Sequence, residues 1–174
     1  MFRAAQTGYA ATARQAHRIG HNIIVSGGST LTFFDDVINN GSEIRVSAGR
    51  PAVYFGAVSG IGRFTGTGLK FFEGTFNPSN SSALEVLQGD IGFGANNALT
   101  IELAGLAAGT EDDQIEIGQQ VALGRKLHIN LLSGSLPTVD DALTYLIAGG
   151  GNVAAPDVEV EQDRDLLRSR QQLI

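Results

Sequence analysis

The chain has 174 residues, of which 43% are hydrophobic and 7% aromatic, enough for one folded domain with a substantial core. With a formal net charge of −6, the chain lacks the overall excess of basic residues that phosphate binding requires, so we expect no nucleic-acid partner. The lack of cysteine excludes disulfides and thiolate metal sites, and no segment approaches the roughly 20 apolar residues of a membrane-spanning helix, so we expect no membrane insertion.

Residues 1–21 are expected to form a short N-terminal cap. Apolar side chains recur at helix-compatible intervals from Phe2 to Ile19, and Gly20 would end the helix. The chain up to Thr32 carries three arginines, two histidines and no acidic residue. Such a basic end would attract the acidic body of another copy. The segment lacks the apolar centre of a signal peptide, so either export information has been removed or the chain is part of a longer protein.

Residues 22–148 are expected to form the body, a succession of short strands with turn-forming residues between them. The predicted strands span residues 22–25, 30–37, 43–47, 51–58, 62–65, 68–76, 84–87, 90–93, 98–103, 114–117, 120–123 and 126–132. Their spacing is too short for crossover helices, which leaves a β-solenoid or a β-sandwich. Leu99, Ile101 and Leu103 alternate with polar residues, as in strands with one buried face.

An aromatic pair recurs three times in the first half, as Phe33-Phe34, Tyr54-Phe55 and Phe71-Phe72. A repeat of about 20 residues indicates the coils of a solenoid, in which each coil is stabilised by its neighbours. We predict that the second member of each pair faces inward, because a ladder of the first members would bury the hydroxyl of Tyr54. The predicted inner ladder is therefore Phe34, Phe55 and Phe72.

Several segments follow the pattern of a known family: Asn77-Pro-Ser-Asn-Ser-Ser82, Leu99-Thr-Ile-Glu-Leu103, Asp112-Asp-Gln-Ile-Glu-Ile-Gly118, Val121-Ala-Leu-Gly124 and Leu127-His-Ile-Asn-Leu131. From Thr67 to Ala148, and more loosely from Gly27, the chain resembles the β-helix repeats of bacterial autotransporter passengers and related exported surface proteins. The resemblance implies a single-stranded right-handed parallel β-helix. It also implies a stalk, spacer or adhesive surface outside the cell, without a catalytic residue.

The segment Gly56-Ala-Val-Ser-Gly60-Ile-Gly62 is similar to a glycine-rich dinucleotide-binding fingerprint. Cofactor binding would require a helix starting at the last glycine, so that its N-terminus meets the pyrophosphate. The following Phe64-Thr-Gly-Thr-Gly68 is unable to hold a helix. We therefore interpret the motif as a turn and expect no cofactor.

Three sets of side chains are candidates for metal binding or catalysis. His17 and His21 have the i, i+4 spacing of helical metal ligands, but no third ligand accompanies them. Two acidic turns carry oxygens suited to Ca²⁺, namely Glu111-Asp112-Asp113 and Asp140-Asp141. Outward polar residues are candidates for a polysaccharide-cleaving site, namely Glu102, Glu116, His128 and Asn130. We interpret all three sets as solvated groups, so no catalytic, cofactor-binding or metal residue is assigned.

Residues 149–174 are expected to form a flexible or helical tail, after a closing strand within residues 138–147. The predicted function is that of a non-catalytic structural or surface module that self-assembles through its ends. The alternative is a polysaccharide-binding or polysaccharide-cleaving β-helix. We expect a homo-oligomer, glycans as further candidate partners, and an extracellular or cell-surface location.

Overall fold

The chain winds in successive coils around one axis, and a complete coil contributes one strand to each of three sheets. The computed structural model describes residues 16–78, 84–105, 107, 110–124, 126–132, 144–150 and 159–162. Strands one coil apart pair side by side and run parallel. The fold is therefore a right-handed parallel β-helix, as the sequence predicts, and not a β-sandwich.

The three sheets are named A, B and C in the order in which each coil visits them. Sheet A contains β1 (His17–Arg18), β4 (Val37–Ile38), β7 (Val58–Ser59), β10 (Phe76–Asn77), β13 (Ala98–Leu103), β16 (Lys126–Leu131) and β18 (Glu159–Gln162). Sheet B contains β2 (Ile23–Val25), β5 (Glu43–Val46), β8 (Arg63–Thr65), β11 (Leu84–Leu87), β14 (Gln114–Ile117) and β17 (Leu146–Ala148). Sheet C contains β3 (Leu31–Phe33), β6 (Pro51–Tyr54), β9 (Leu69–Phe72), β12 (Ile91–Phe93) and β15 (Val121–Ala122).

The interior is filled by ladders of apolar side chains that repeat once per coil. In sheet A one such ladder consists of Val37, Val58, Phe76, Leu99 and Leu127. The leucines and Ile101 of β13 are buried as predicted, but Glu102, which was expected on the solvated face, is buried as well. Burial of each large apolar side chain contributes about 1.5–3 kcal/mol, so these ladders are the main source of stability.

The inner aromatic ladder differs from the predicted one at two of three positions. Strand register aligns Phe33 with Tyr54, and further along the ladder Phe72 with Phe93. Phe72 is buried as predicted, whereas Phe34 and Phe55 are 69% and 45% exposed. The prediction placed the same member of every pair inside in order to keep the Tyr54 hydroxyl out of the core, but the third coil is shorter than the second. Its inward position therefore moves from the first to the second member of the aromatic pair.

Tyr54 is fully buried although its hydroxyl has no hydrogen-bond partner among the described residues. Its ring stacks on Phe33 at 5.4 Å and on Phe72 at 4.9 Å. Stacking and apolar burial of the ring offset the cost of the unpaired hydroxyl, which is about 1–3 kcal/mol. Burial also raises the pKa of Tyr54.

The glycine-rich segment 56–62 forms the corner between sheets C and A, strand β7, and the next corner. A Cβ at Gly56 would overlap the backbone of Asp35 in the preceding coil, and one at Gly62 would overlap the side chain of Asn39. Gly60 has a φ of 107°, which favours glycine. These glycines allow close coil stacking, and the strand β8 follows where a nucleotide site would need a helix. The interpretation of this motif as a turn is confirmed.

Both ends of the described chain contain strands where other structures were expected. His17–Arg18 form β1 instead of the last turn of a helix, and residues 1–15 lie outside the described part. In the region of the closing strand expected within residues 138–147, the structure has β17, and residues 138–143 lie outside the described part. Within the expected tail, β18 pairs with β16, while the proposed terminal helix lies outside the described residues. No helix long and apolar enough to cross a membrane occurs in the described ranges.

Candidate functional site at the long corner turns

The turns that lead from sheet A to sheet B lengthen along the chain. They comprise four residues in the first coil, 19–22, and ten residues in the fifth, 104–113. All of them leave sheet A at the same edge of the β-helix. Because irregular segments held by a rigid scaffold often carry binding and catalytic groups, this edge is the first place to look for a site.

The turn 104–113 folds back on the strand that precedes it. Leu103 and Asp112 form an antiparallel bridge. The backbone N–H of Glu102 donates to Oδ2 of Asp113 at 2.9 Å, and the N–H of Asp113 donates to the carbonyl of Glu102 at 2.8 Å. This reciprocal pair fixes the carboxylate of Asp113 beside the strand residue Glu102.

Glu102 is held in a largely buried position on the outer side of sheet A, where it is 9% exposed. Burial raises its pKa, and the charge of Asp113 raises it further. The amide of Asn130 lowers the pKa of Glu102, because its Nδ2 lies 3.5 Å from Oε1 of Glu102. The other carboxyl oxygen of Glu102, Oε2, has no hydrogen-bond partner among the described residues. The environment therefore shifts Glu102 toward its protonated form, the form in which a carboxyl group acts as a general acid.

Two of the four predicted outward candidates come together at this corner. Glu102 and Asn130 are neighbours in the register of β13 and β16. His128 lies two residues before Asn130 on the same face and is exposed. Glu116 is in β14 of sheet B, so it lies on a different side of the β-helix.

Asp113 is the residue whose role sequence reasoning missed. The sequence interpretation treated Glu111, Asp112 and Asp113 as solvated turn acids. In the structure Glu111 is exposed, but Asp112 and Asp113 are buried. The available signal was the position of an acidic cluster at the end of a long turn, directly before the clean alternation of β14. Asp140-Asp141 lie outside the described residues.

His17 and His21, which have the spacing of helical metal ligands, do not share a helix in the structure. His17 lies in β1, and its Nε2 is 3.3 Å from Oδ2 of Asp35, while His21 is exposed beyond the end of that strand. In the described ranges, no three side chains of histidine, cysteine, aspartate or glutamate converge in a way that could hold a metal ion.

A shallow groove of about 480 Å³ crosses the outer face of sheet B. Arg45 and Arg63 line it together with Glu43 and Thr65, and Oγ1 of Thr65 donates to Oε1 of Glu43 at 2.5 Å. The groove lacks the long turns and the perturbed carboxyl group found at the Glu102 corner. For these reasons the corner is the better candidate for a site that does chemistry.

Comparisons of the chain with models of protein families, with curated proteins and with solved structures found no match. The resemblance to autotransporter passengers therefore stays a prediction.

Proposed function

We propose that this protein is a non-catalytic structural or surface module that works through its shape and its ends. In this role it is a stalk, scaffold or adhesive element outside the cell, and it self-assembles. The observation that carries the proposal is the uninterrupted stacking of sheet A from β1 to β18, through seven parallel strands in the described part of the chain. At about 4.8 Å per strand, this stack is roughly 29 Å long.

The packing of the interior supports a mechanical role. The rings of Phe33, Tyr54 and Phe72 stack continuously, and Phe93 continues the ladder at 5.7 Å from Phe72. A ladder of this kind couples each coil to the next, because removal of one ring leaves a gap that both neighbours face. Such a rod keeps its length and its surface in a fixed geometry.

Self-assembly is supported by the ends of the β-helix. Parallel strands at the edge of a sheet carry backbone groups that another strand can pair with. The chain up to Thr32 is basic, whereas the last described strand, β18, contains Glu159 and Glu161 and no basic residue. Opposite charges at the two ends favour contact between the start of one copy and the end of another.

Sedimentation velocity over a range of protein concentrations tests this function. We expect larger species as concentration rises, and stronger association at about 20 mM than at about 150 mM salt, because screening weakens attraction between the ends. A monomer at every concentration and at both salt levels would contradict self-assembly.

The second candidate function is binding or cleavage of polysaccharides at the Glu102 corner. It is favoured by one observation, the buried acid Glu102 held next to Asp113 and Asn130. A glycan array combined with a reducing-end assay separates the functions. Turnover that Glu102→Gln abolishes and Glu116→Gln retains supports an enzyme, whereas binding without turnover supports an adhesive module. A result with no binding and no turnover favours the scaffold.

A further inference from the structure

One register column of sheet A begins with a base and ends with an acid. Pairing in register connects Arg18 to Ile38 and Ser59 in the early coils, and Thr100 to His128 and Glu161 in the late coils. Asn77 pairs with Ser59, and the pairing of Phe76 with Leu99 aligns Asn77 with Thr100. The early and late parts of the column are thereby joined. Arg18 and Glu161 therefore occupy equivalent positions in the first and last strands of the described sheet.

The same register aligns the neighbouring positions of the two end strands. His17 pairs with Val37 at the start of sheet A, and Leu127 pairs with Val160 at its end. In the described part of the chain, β1 pairs only with β4 and β18 pairs only with β16. Each end strand thus has one side that a further parallel strand could join without changing the alternation of inner and outer positions.

We propose that copies of this chain stack head to tail, with β1 of one copy added to β18 of another in the register that sheet A already uses. This arrangement brings Arg18 next to Glu161 of the neighbouring copy. It deepens the proposed function, on which it rests, by naming the surfaces that meet. Because the contact joins two different surfaces, it leaves a free end on each side and generates an open fibre.

Charge favours this polarity over the reverse one. Opposite charges at adjacent positions of neighbouring strands are stabilising, and like charges are destabilising. Head-to-head contact would place two basic ends together, and tail-to-tail contact would place two acidic ends together. Head-to-tail contact instead pairs the exposed Arg18 with an acidic strand that contains both Glu159 and Glu161.

Charge reversal in the full-length chain tests the contact. At low salt we expect Arg18→Glu and Glu161→Arg each to weaken association about fivefold or more in sedimentation experiments, because an attraction becomes a repulsion. The double variant Arg18→Glu/Glu161→Arg should associate like the original chain. A mixture of the two single variants should also associate, because each then offers the charge that the other needs. Ser59→Glu is the control, since it alters the same column in an inner coil and should leave association unchanged.

The outcomes separate this inference from the proposed function. If the original chain associates but the single variants associate equally well, the register is wrong and self-assembly stands. If the single variants lose association and neither the double variant nor the mixture restores it, the pairing of these two residues is also contradicted. A monomeric original chain would contradict self-assembly itself. Far-ultraviolet circular dichroism confirms that each variant is folded.

Discussion

The ring of Tyr54 lies 4.9 Å from the ring of Phe72, with 17° between their planes, and its hydroxyl accepts or donates no hydrogen bond among the described residues. Replacing Tyr54 by phenylalanine keeps the stack and removes the buried polar group. We expect Tyr54→Phe to stabilise the protein by about 1 kcal/mol, because the desolvation penalty disappears. Urea unfolding measures the difference. A loss of stability in this variant would mean that the hydroxyl makes an interaction in the folded protein.

The position of the inner ladder gives a second prediction. Phe72→Ala should destabilise the protein by about 3–5 kcal/mol, because it removes a ring that contacts four other aromatic side chains. Phe34→Ala should cost much less, since Phe34 is exposed and stacks on Phe55 alone among the described aromatic residues. Thermal unfolding of both variants checks the order. Equal losses would contradict the observed ladder and support the one predicted from sequence.

Close stacking at the corner of the second and third coils gives a third prediction. Gly56→Ala places a methyl group against the backbone of Asp35, so one coil must shift. We expect a loss of about 1–3 kcal/mol or more in the free energy of unfolding. Gly20→Ala is the matched control, because a Cβ there meets no atom within 4 Å. If the two substitutions have the same effect, the tight contact at Gly56 is not required.

Glu85 provides a prediction about pH. It is 8% exposed, and burial raises its pKa to about 8, so between about pH 4.5 and pH 8 the folded protein binds more protons than the unfolded chain. The contribution of Glu85 to stability should therefore be most favourable below about pH 4.5 and become less favourable as the pH rises to about 8, by at most about 1.4 kcal/mol per pH unit. Glu102 contributes in the same direction.

Urea unfolding across this pH range, with and without Glu85→Gln, measures the contribution of Glu85. The variant should show a flatter dependence of stability on pH. Glu116→Gln, on the outer face of the neighbouring strand β14, is the control and should keep the original slope. An unchanged slope in Glu85→Gln would show that another group causes the dependence.

Lys70 is buried in β9, and its ammonium group reaches the corner between sheets B and C, where it joins two coils. Its Nζ donates to the carbonyls of Gly66 at 2.5 Å, Gly68 at 3.2 Å, and Gln88 in the next coil. Burial lowers its pKa to about 8, and the charge of Asp90 acts in the opposite direction. These bonds satisfy three carbonyl groups that the turn geometry leaves without strand partners.

Lys70→Met should destabilise the protein by about 3 kcal/mol, because buried carbonyls lose their donor. Hydrogen exchange should show faster exchange at residues 66–68 and 88–90 than at β14. Lys126→Met, at an exposed position, serves as the control for the loss of a lysine. Unchanged exchange at the corner would mean that the backbone holds this geometry without the ammonium group.

The sequence predicted the strands well wherever polarity alternates. The predicted bounds of β11, β13 and β14 coincide with the observed ones. In contrast, the predicted strands 30–37, 51–58 and 68–76 each contain a corner that separates two strands. Those corners are only three residues long and contain no proline, so the sequence pattern carries no clear mark of the bend, which depends on contact with the coil below.

The candidate site was predicted in part. Alternation placed Glu102 and Asn130 outward, but the approach of Asp113 depends on how the turn 104–113 folds back, and no periodic pattern encodes that. The inward position of Lys70 was not predictable for a similar reason, because the carbonyl groups that accept its hydrogen bonds come from two different coils. The strand β18 did have a signal, because Val158 and Val160 alternate with acidic residues in the expected tail.

The lengthening turns at one edge have a practical consequence. The first two coils close that corner with four residues, and the fifth coil closes it with ten, yet the strands on either side keep their parallel pairing. The scaffold thus accepts extra sequence at a single lateral ridge without altering its cross-section. Foreign peptides grafted into that ridge should be displayed at regular intervals along the rod, which makes it the natural position for epitopes or affinity tags.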